Sequence, residues 1–118
     1  MTVLLVAAGG VVGVLARYGL GTTVSTNALP WMTVAINLVG SFVLGFLLPL
    51  GDQLSEPVRN GLGIGLLGGF TTFSTFSVEV FYDAHGGDSG FALLYLAASI
   101  VGGVAAAGLG YYAGRAVA

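Results

Sequence analysis

Three short polar clusters cut this chain into four apolar runs. Each run approaches or exceeds the roughly 20 residues that a helix needs to cross a bilayer. The clusters are residues 23–29, 51–57 and 85–90; the runs are 3–22, 31–50, 57–84 and 91–113. Hydrocarbon offers no water to backbone polar groups, so runs of this length must pair their own N–H and C=O groups as helices. Charged residues make up only 7% of the chain, against about 25% in a soluble domain, and the mean hydropathy is +0.98. The expectation is an all-α integral membrane protein, a single four-helix transmembrane domain over residues 1–118 with both termini on one side.

The punctuation agrees with this division. Pro30 suits the first turn of the second helix and Trp31 suits the membrane interface, whereas Pro49 weakens that helix's last turn and Pro57 can open the third. The start, Met1-Thr2-Val3-Leu4-Leu5, lacks a basic n-region, which favours a first span over a cleaved signal peptide. Cysteine is absent, so no disulfide framework or thiolate metal site exists. Three arginines against five acids, with no lysine, provide no basic patch for nucleic acid and no basic amphipathic helix.

The third run is too long. Its roughly 28 residues would make a helix of about 42 Å, whereas the hydrocarbon core is about 30 Å thick. Within it lies Gly68-Gly69-Phe70-Thr71-Thr72-Phe73-Ser74-Thr75-Phe76-Ser77, where two glycines are followed by five hydroxyl residues interleaved with phenylalanines. Glycine and threonine are poor to mediocre helix formers, so the helix is expected to unwind here into two half-helices. Unwound backbone at membrane depth survives only where protein buries it or where it lines a wet cavity. Such breaks are where transported ions and substrates bind.

The 21 glycines fall at many small-x-x-x-small spacings, which let helix backbones approach where lipid removes the hydrophobic drive for association. All of them read as packing residues except Gly68 and Gly69. Arg17 lies towards one face, and Arg59 and Arg115 towards the other. That asymmetry is too small for the positive-inside rule to fix an orientation, so two opposed copies, or a single orientation, are both open.

Several polar residues inside the runs bear on function. Arg17 can snorkel to the interface or face a wet vestibule and attract anions. Asn37, mid-way along the second run, needs a partner in hydrocarbon; an interhelical bond and a pore-lining donor are the two alternatives. Phe73 and Phe76, three apart, share a helix face and read either as core or as ring edges, which carry positive potential, turned to a pore beside Ser74, Thr75 and Ser77. Glu79 and Asp83 read as solvated helix-end acids and His85 as exposed. No catalytic triad, metal-ligand cluster or P-loop lysine is present, so enzymatic activity is not expected.

Three blocks resemble the CrcB/Fluc fluoride channels: Gly9-Gly10 with Gly13, Arg17 and Tyr18; Asn37 with Gly40, Ser41, Phe42 and Gly45; and the run 68–77 followed by Glu79. The third is the most specific, and the fourth span matches mainly in character. The resemblance implies a channel in the cell membrane that passively exports fluoride from the cytoplasm. It also implies an antiparallel, dual-topology dimer in the lipid bilayer, homodimeric or with a related chain. Backbone carbonyls of Gly68 and Thr71 would hold a structural Na⁺. Phe73 and Phe76 would line the pore, Asn37 would donate to the ion, and Ser74 and Thr75 would form part of a polar track. Arg17 would serve a vestibule or the structure. Tyr95 and Ser99 are the fourth-span candidates. A small multidrug transporter is a rival of similar size, but it needs a glutamate in its first span, and that run has Arg17 and no acid. A purely structural membrane subunit is the other alternative.

Overall fold

The computed structural model describes residues 1–118. The chain is entirely helical, and four helical stretches are long and apolar enough to cross a membrane: Thr2–Thr22, Thr26–Gln53, Glu56–His85 and Ser89–Val117. The first is α1, Thr2–Thr22. The second is α2, Leu29–Leu47, entered through a 3₁₀ turn at Thr26–Ala28 with Pro30 in its first turn. It leaves through a second 3₁₀ turn, Leu48–Gln53, that contains Pro49.

The third span changes winding four times. It begins as α3, Glu56–Asn60, with Pro57 in the first turn, and widens to a π helix over Gly61–Leu67. It closes with α4, Gly68–Phe70, opens at residues 71–73, and resumes as α5, Ser74–His85. The last span is a single helix, α6, Ser89–Val117, begun by Asp88, whose carboxylate accepts from the Phe91 N–H at 3.1 Å.

Two parallel helix pairs form the bundle. In one, α1 runs beside the first half of the third span. A Cβ on Gly9 would fall against Gly61 O and Leu66 N, and one on Gly13 against Leu66 O and Phe70 N. Glycines at 61 and 65 let this stretch close on Leu5 and Val6 of α1, whereas Gly63 faces Leu44 of α2, and the π winding lies at the α1 contact. In the other pair α2 runs beside α6: Gly102 meets Leu38, Gly45 meets Ala107, and Gly110 and Gly114 meet Phe42 and Phe46. Close backbone approach of this kind supplies the van der Waals contact that membrane helices rely on.

The expected break is present, but the glycines do not form it. Gly68 and Gly69 are helical, and the chain leaves the helix at Thr71, with φ −83° and ψ 158°. Gly69 is a packing residue: a Cβ there would lie 2.8 Å from Gly10 O. The helix opens where the Thr71 and Thr72 hydroxyls compete for backbone groups, at Leu67 O and Thr75 N. Only 15 of 118 residues are buried, and large apolar side chains from Val3 to Val117 face outward. With extents of 48 × 29 × 20 Å, the chain is a slab whose broad apolar sides must meet lipid or another protein.

Candidate functional site

The break is held by Asn37. Its Nδ2 donates to Thr72 O at 2.9 Å, and its Oδ1 accepts from Thr72 N at 2.8 Å. One amide thus replaces both helical bonds that Thr72 has lost, and Asn37 makes an interhelical pair with backbone. The amide keeps one N–H, and the side chain still borders an open groove of about 320 Å³. Thr72 also orders the restart of the helix: its Oγ1 accepts from Thr75 N at 3.3 Å and donates to Thr75 Oγ1 at 3.1 Å.

These substitutions free specific backbone groups. The helical partner of Gly68 O would be the Thr72 N–H, which has turned to Asn37; that of Thr71 O would be the Thr75 N–H, which Thr72 has taken. No donor of the chain bonds either carbonyl. The N–H groups of Phe73 and Phe76, at the start of α5, likewise find no acceptor. A half-helix ends and another begins at one place, setting bare carbonyls beside bare N–H groups.

Arg17 answers part of this imbalance. Its Nε donates to Gly69 O at 3.3 Å, placing a cation at the C-terminal end of the first half-helix, where the dipole favours it. Arg17 therefore does not snorkel outward. It borders a second cavity, of about 420 Å³, with Thr72, Thr75 and Glu79.

Asn37, Gly68, Thr71, Phe73, Phe76 and Ser99 all border the groove. The two rings lie 5.9 Å apart, tilted by 56°, and differ in environment: Phe76 is 5% exposed and Phe73 78%. Ser99 Oγ is buried there without a partner. Ser74 and Thr75 lie outside the groove, in a shallow depression with Val78 and Glu79. Tyr95 does not border the groove. It is completely buried, with its ring 5.3 Å from that of Phe76.

Glu79 corrects the reading of a solvated helix-end acid. It is half-buried between three spans, accepting from Thr33 Oγ1 at 3.2 Å and from the Tyr95 hydroxyl. Asp83 is also partly buried, with Oδ2 enclosed and unpartnered, whereas His85 is exposed as expected and stacks on Phe81 at 5.6 Å. Sequence reasoning missed Thr33 and undervalued Glu79, although an acid inside a spanning run is itself a functional signal. No group of three His, Cys, Asp or Glu side chains that could hold a metal is present.

The fold and the site define a class: a multi-pass membrane protein whose third helix is interrupted beside an open, polar-lined groove, the arrangement that ion-handling membrane proteins use. Within that class the chain belongs to the CrcB family. The family model described as CrcB-like protein, Camphor Resistance (CrcB), matches residues 4–111. A protein of Thermus thermophilus named fluoride-specific ion channel FluC is 45% identical over 97% of this chain and 95% of its own length. A Bacillus cereus protein named fluoride-specific ion channel FluC 1 is 40% identical over 94% and 85%. One from Rhodospirillum centenum, named fluoride-specific ion channel FluC, is 45% identical over 84% and 83%.

Proposed function

We propose that this chain is a fluoride-selective channel of the plasma membrane that lets fluoride leave the cytoplasm passively. One observation carries the reading: a chain 45% identical end to end to a protein named fluoride-specific ion channel has a groove of uncharged donors and phenylalanine rings at its helix break. Fluoride is small and strongly hydrated, so a pore must replace its water with close donors while binding weakly enough to release it. The free N–H of Asn37, the unpartnered Ser99 hydroxyl and the edges of Phe73 and Phe76 supply such donors without fixed charge. Ser74 and Thr75 would extend the track from the neighbouring depression, and Arg17 would raise the local anion concentration.

Assembly as an antiparallel dimer, with a second copy or a related chain, is supported by the open side of the groove and by a mid-span phenylalanine that its own protomer leaves 78% exposed. The bare carbonyls of Gly68 and Thr71 fit a hard alkali cation, being uncharged oxygen ligands freed by a helix break. Held by both subunits, a structural Na⁺ would neutralise those dipoles and tie the two breaks together.

The test is efflux from liposomes containing the purified protein, read with a fluoride electrode. Fluoride should leave down its gradient once a potassium ionophore balances charge, while chloride stays. Fluoride retention equal to empty liposomes, or chloride leaving as fast as fluoride, would sink the reading. Because the chain has no cysteine, single introduced cysteines labelled from one side of native membranes report orientation cleanly. One reactive orientation alone excludes the antiparallel homodimer.

A further inference from the structure

Where the second span ends and the third begins is a cleft whose chemistry differs from that of the groove. It has a volume of about 260 Å³ and is walled by Leu44, Leu47, Leu54 and Ile64, with Arg59 at its edge. Ile64 is 65% exposed, so the cleft opens sideways onto the apolar surface. Arg59 belongs to α3, the first turn of the span, which places its exposed guanidinium near headgroup depth. Its stem lies over Gly51, where a Cβ would sit 3.5 Å from Arg59 Cδ. Its one hydrogen bond is a long one, Nη1 to Gly51 O at 3.4 Å. Asp52 and Glu56, the nearest acids in sequence, make no ion pair with it.

An occupant has to satisfy leucines and a guanidinium together. An apolar helix of a second copy would cover the leucines but offer the guanidinium no anionic partner. A phospholipid answers both: its phosphate matches the guanidinium fork, and its acyl chain matches the apolar walls. A zwitterionic headgroup offsets the attraction with its own ammonium, whereas an anionic one does not. We propose that this cleft is a binding site for an anionic phospholipid, with Arg59 holding the phosphate and an acyl chain lying along Leu44, Leu47, Leu54 and Ile64. The cleft adjoins the groove, sharing Leu44 and Gly63 with it, but lipid retention is measured without fluoride, so failure here is distinguishable from failure of the channel reading.

The experiment is native mass spectrometry of the delipidated full chain after addition of phosphatidylglycerol or phosphatidylcholine. Phosphatidylglycerol should be retained about fivefold better, the factor one surface cation contributes towards an anionic headgroup. Arg59→Gln should abolish that preference. Arg115→Gln should keep it, since that guanidinium lies over the Tyr111 ring, 6.0 Å from its centroid. A parallel measurement needs no variant: phosphatidylglycerol with a photoreactive acyl chain should label the wild type chiefly within residues 44–64. Equal retention of the two lipids by the wild type, a preference that survives Arg59→Gln, or label spread along α1 and α6 would overturn the assignment. So would cross-links placing a second copy in the cleft.

Discussion

Replacing Asn37 by leucine keeps the branched outline of the side chain and removes both bonds to Thr72, at 2.9 and 2.8 Å. The Thr72 N–H and C=O are then left without partners, at about 1–3 kcal/mol each where no water reaches them. Two effects reduce the sum. Water can enter from the open groove, and interhelical bonds in membranes average only about 0.6 kcal/mol with a maximum near 1.7. The net expectation is a loss of about 2–3 kcal/mol, which at roughly 4 °C per kcal/mol lowers the melting point by about 8–12 °C. The single tryptophan, Trp31, reports unfolding directly, because its ring packs edge-on against Phe91 at 5.6 Å and Tyr95 at 6.5 Å. Asn37→Asp keeps an acceptor for the Thr72 N–H and should fall between leucine and wild type. Fluoride flux is measured in the same preparations. A melting point within a degree or two of wild type would refute the clamp, and lost flux at unchanged stability would leave Asn37 as a pore donor only.

Phe73→Ile and Phe76→Ile should both lower fluoride flux, but only Phe76→Ile should also lower the stability, by about 1–2 kcal/mol through the lost ring contacts, and the melting point with it; equal stability losses would contradict the burial difference. Gly13→Ala forces a Cβ against Leu66 O and should destabilise by about 1–3 kcal/mol, whereas Gly19→Ala, with nothing within 4 Å, should be neutral or slightly stabilising in the same melt. Exhaustive exchange of Na⁺ for N-methylglucamine should lower the thermal stability of the assembly, and an imposed sodium gradient should leave fluoride flux unchanged; flux that follows the sodium gradient would make the ion a co-substrate.

The four spans and the region of the break were legible in the sequence because both are local properties. Hydropathy summed over about 20 residues decides whether a segment enters lipid, and a run of threonine and serine weakens a helix wherever it occurs. The observed spans extend the expected ones by up to five residues at an end, Thr26 against 31 and Val117 against 113. Asn37 was recognised as a polar residue needing a partner, but not which partner. That depends on how α2 is rotated against the third span, and helices apolar on every side carry little pattern to reveal rotation. The same blindness concealed Glu79. Its position predicted solvent, yet the packing of α2, α5 and α6 brings Thr33 and Tyr95 to its carboxylate. Gly69 was assigned to the break and turned out to be the contact where Gly10 approaches, because a glycine's sequence is the same whether it frees backbone or admits a neighbour. Only tertiary structure decides between those roles, since it alone fixes which backbone lies within van der Waals reach.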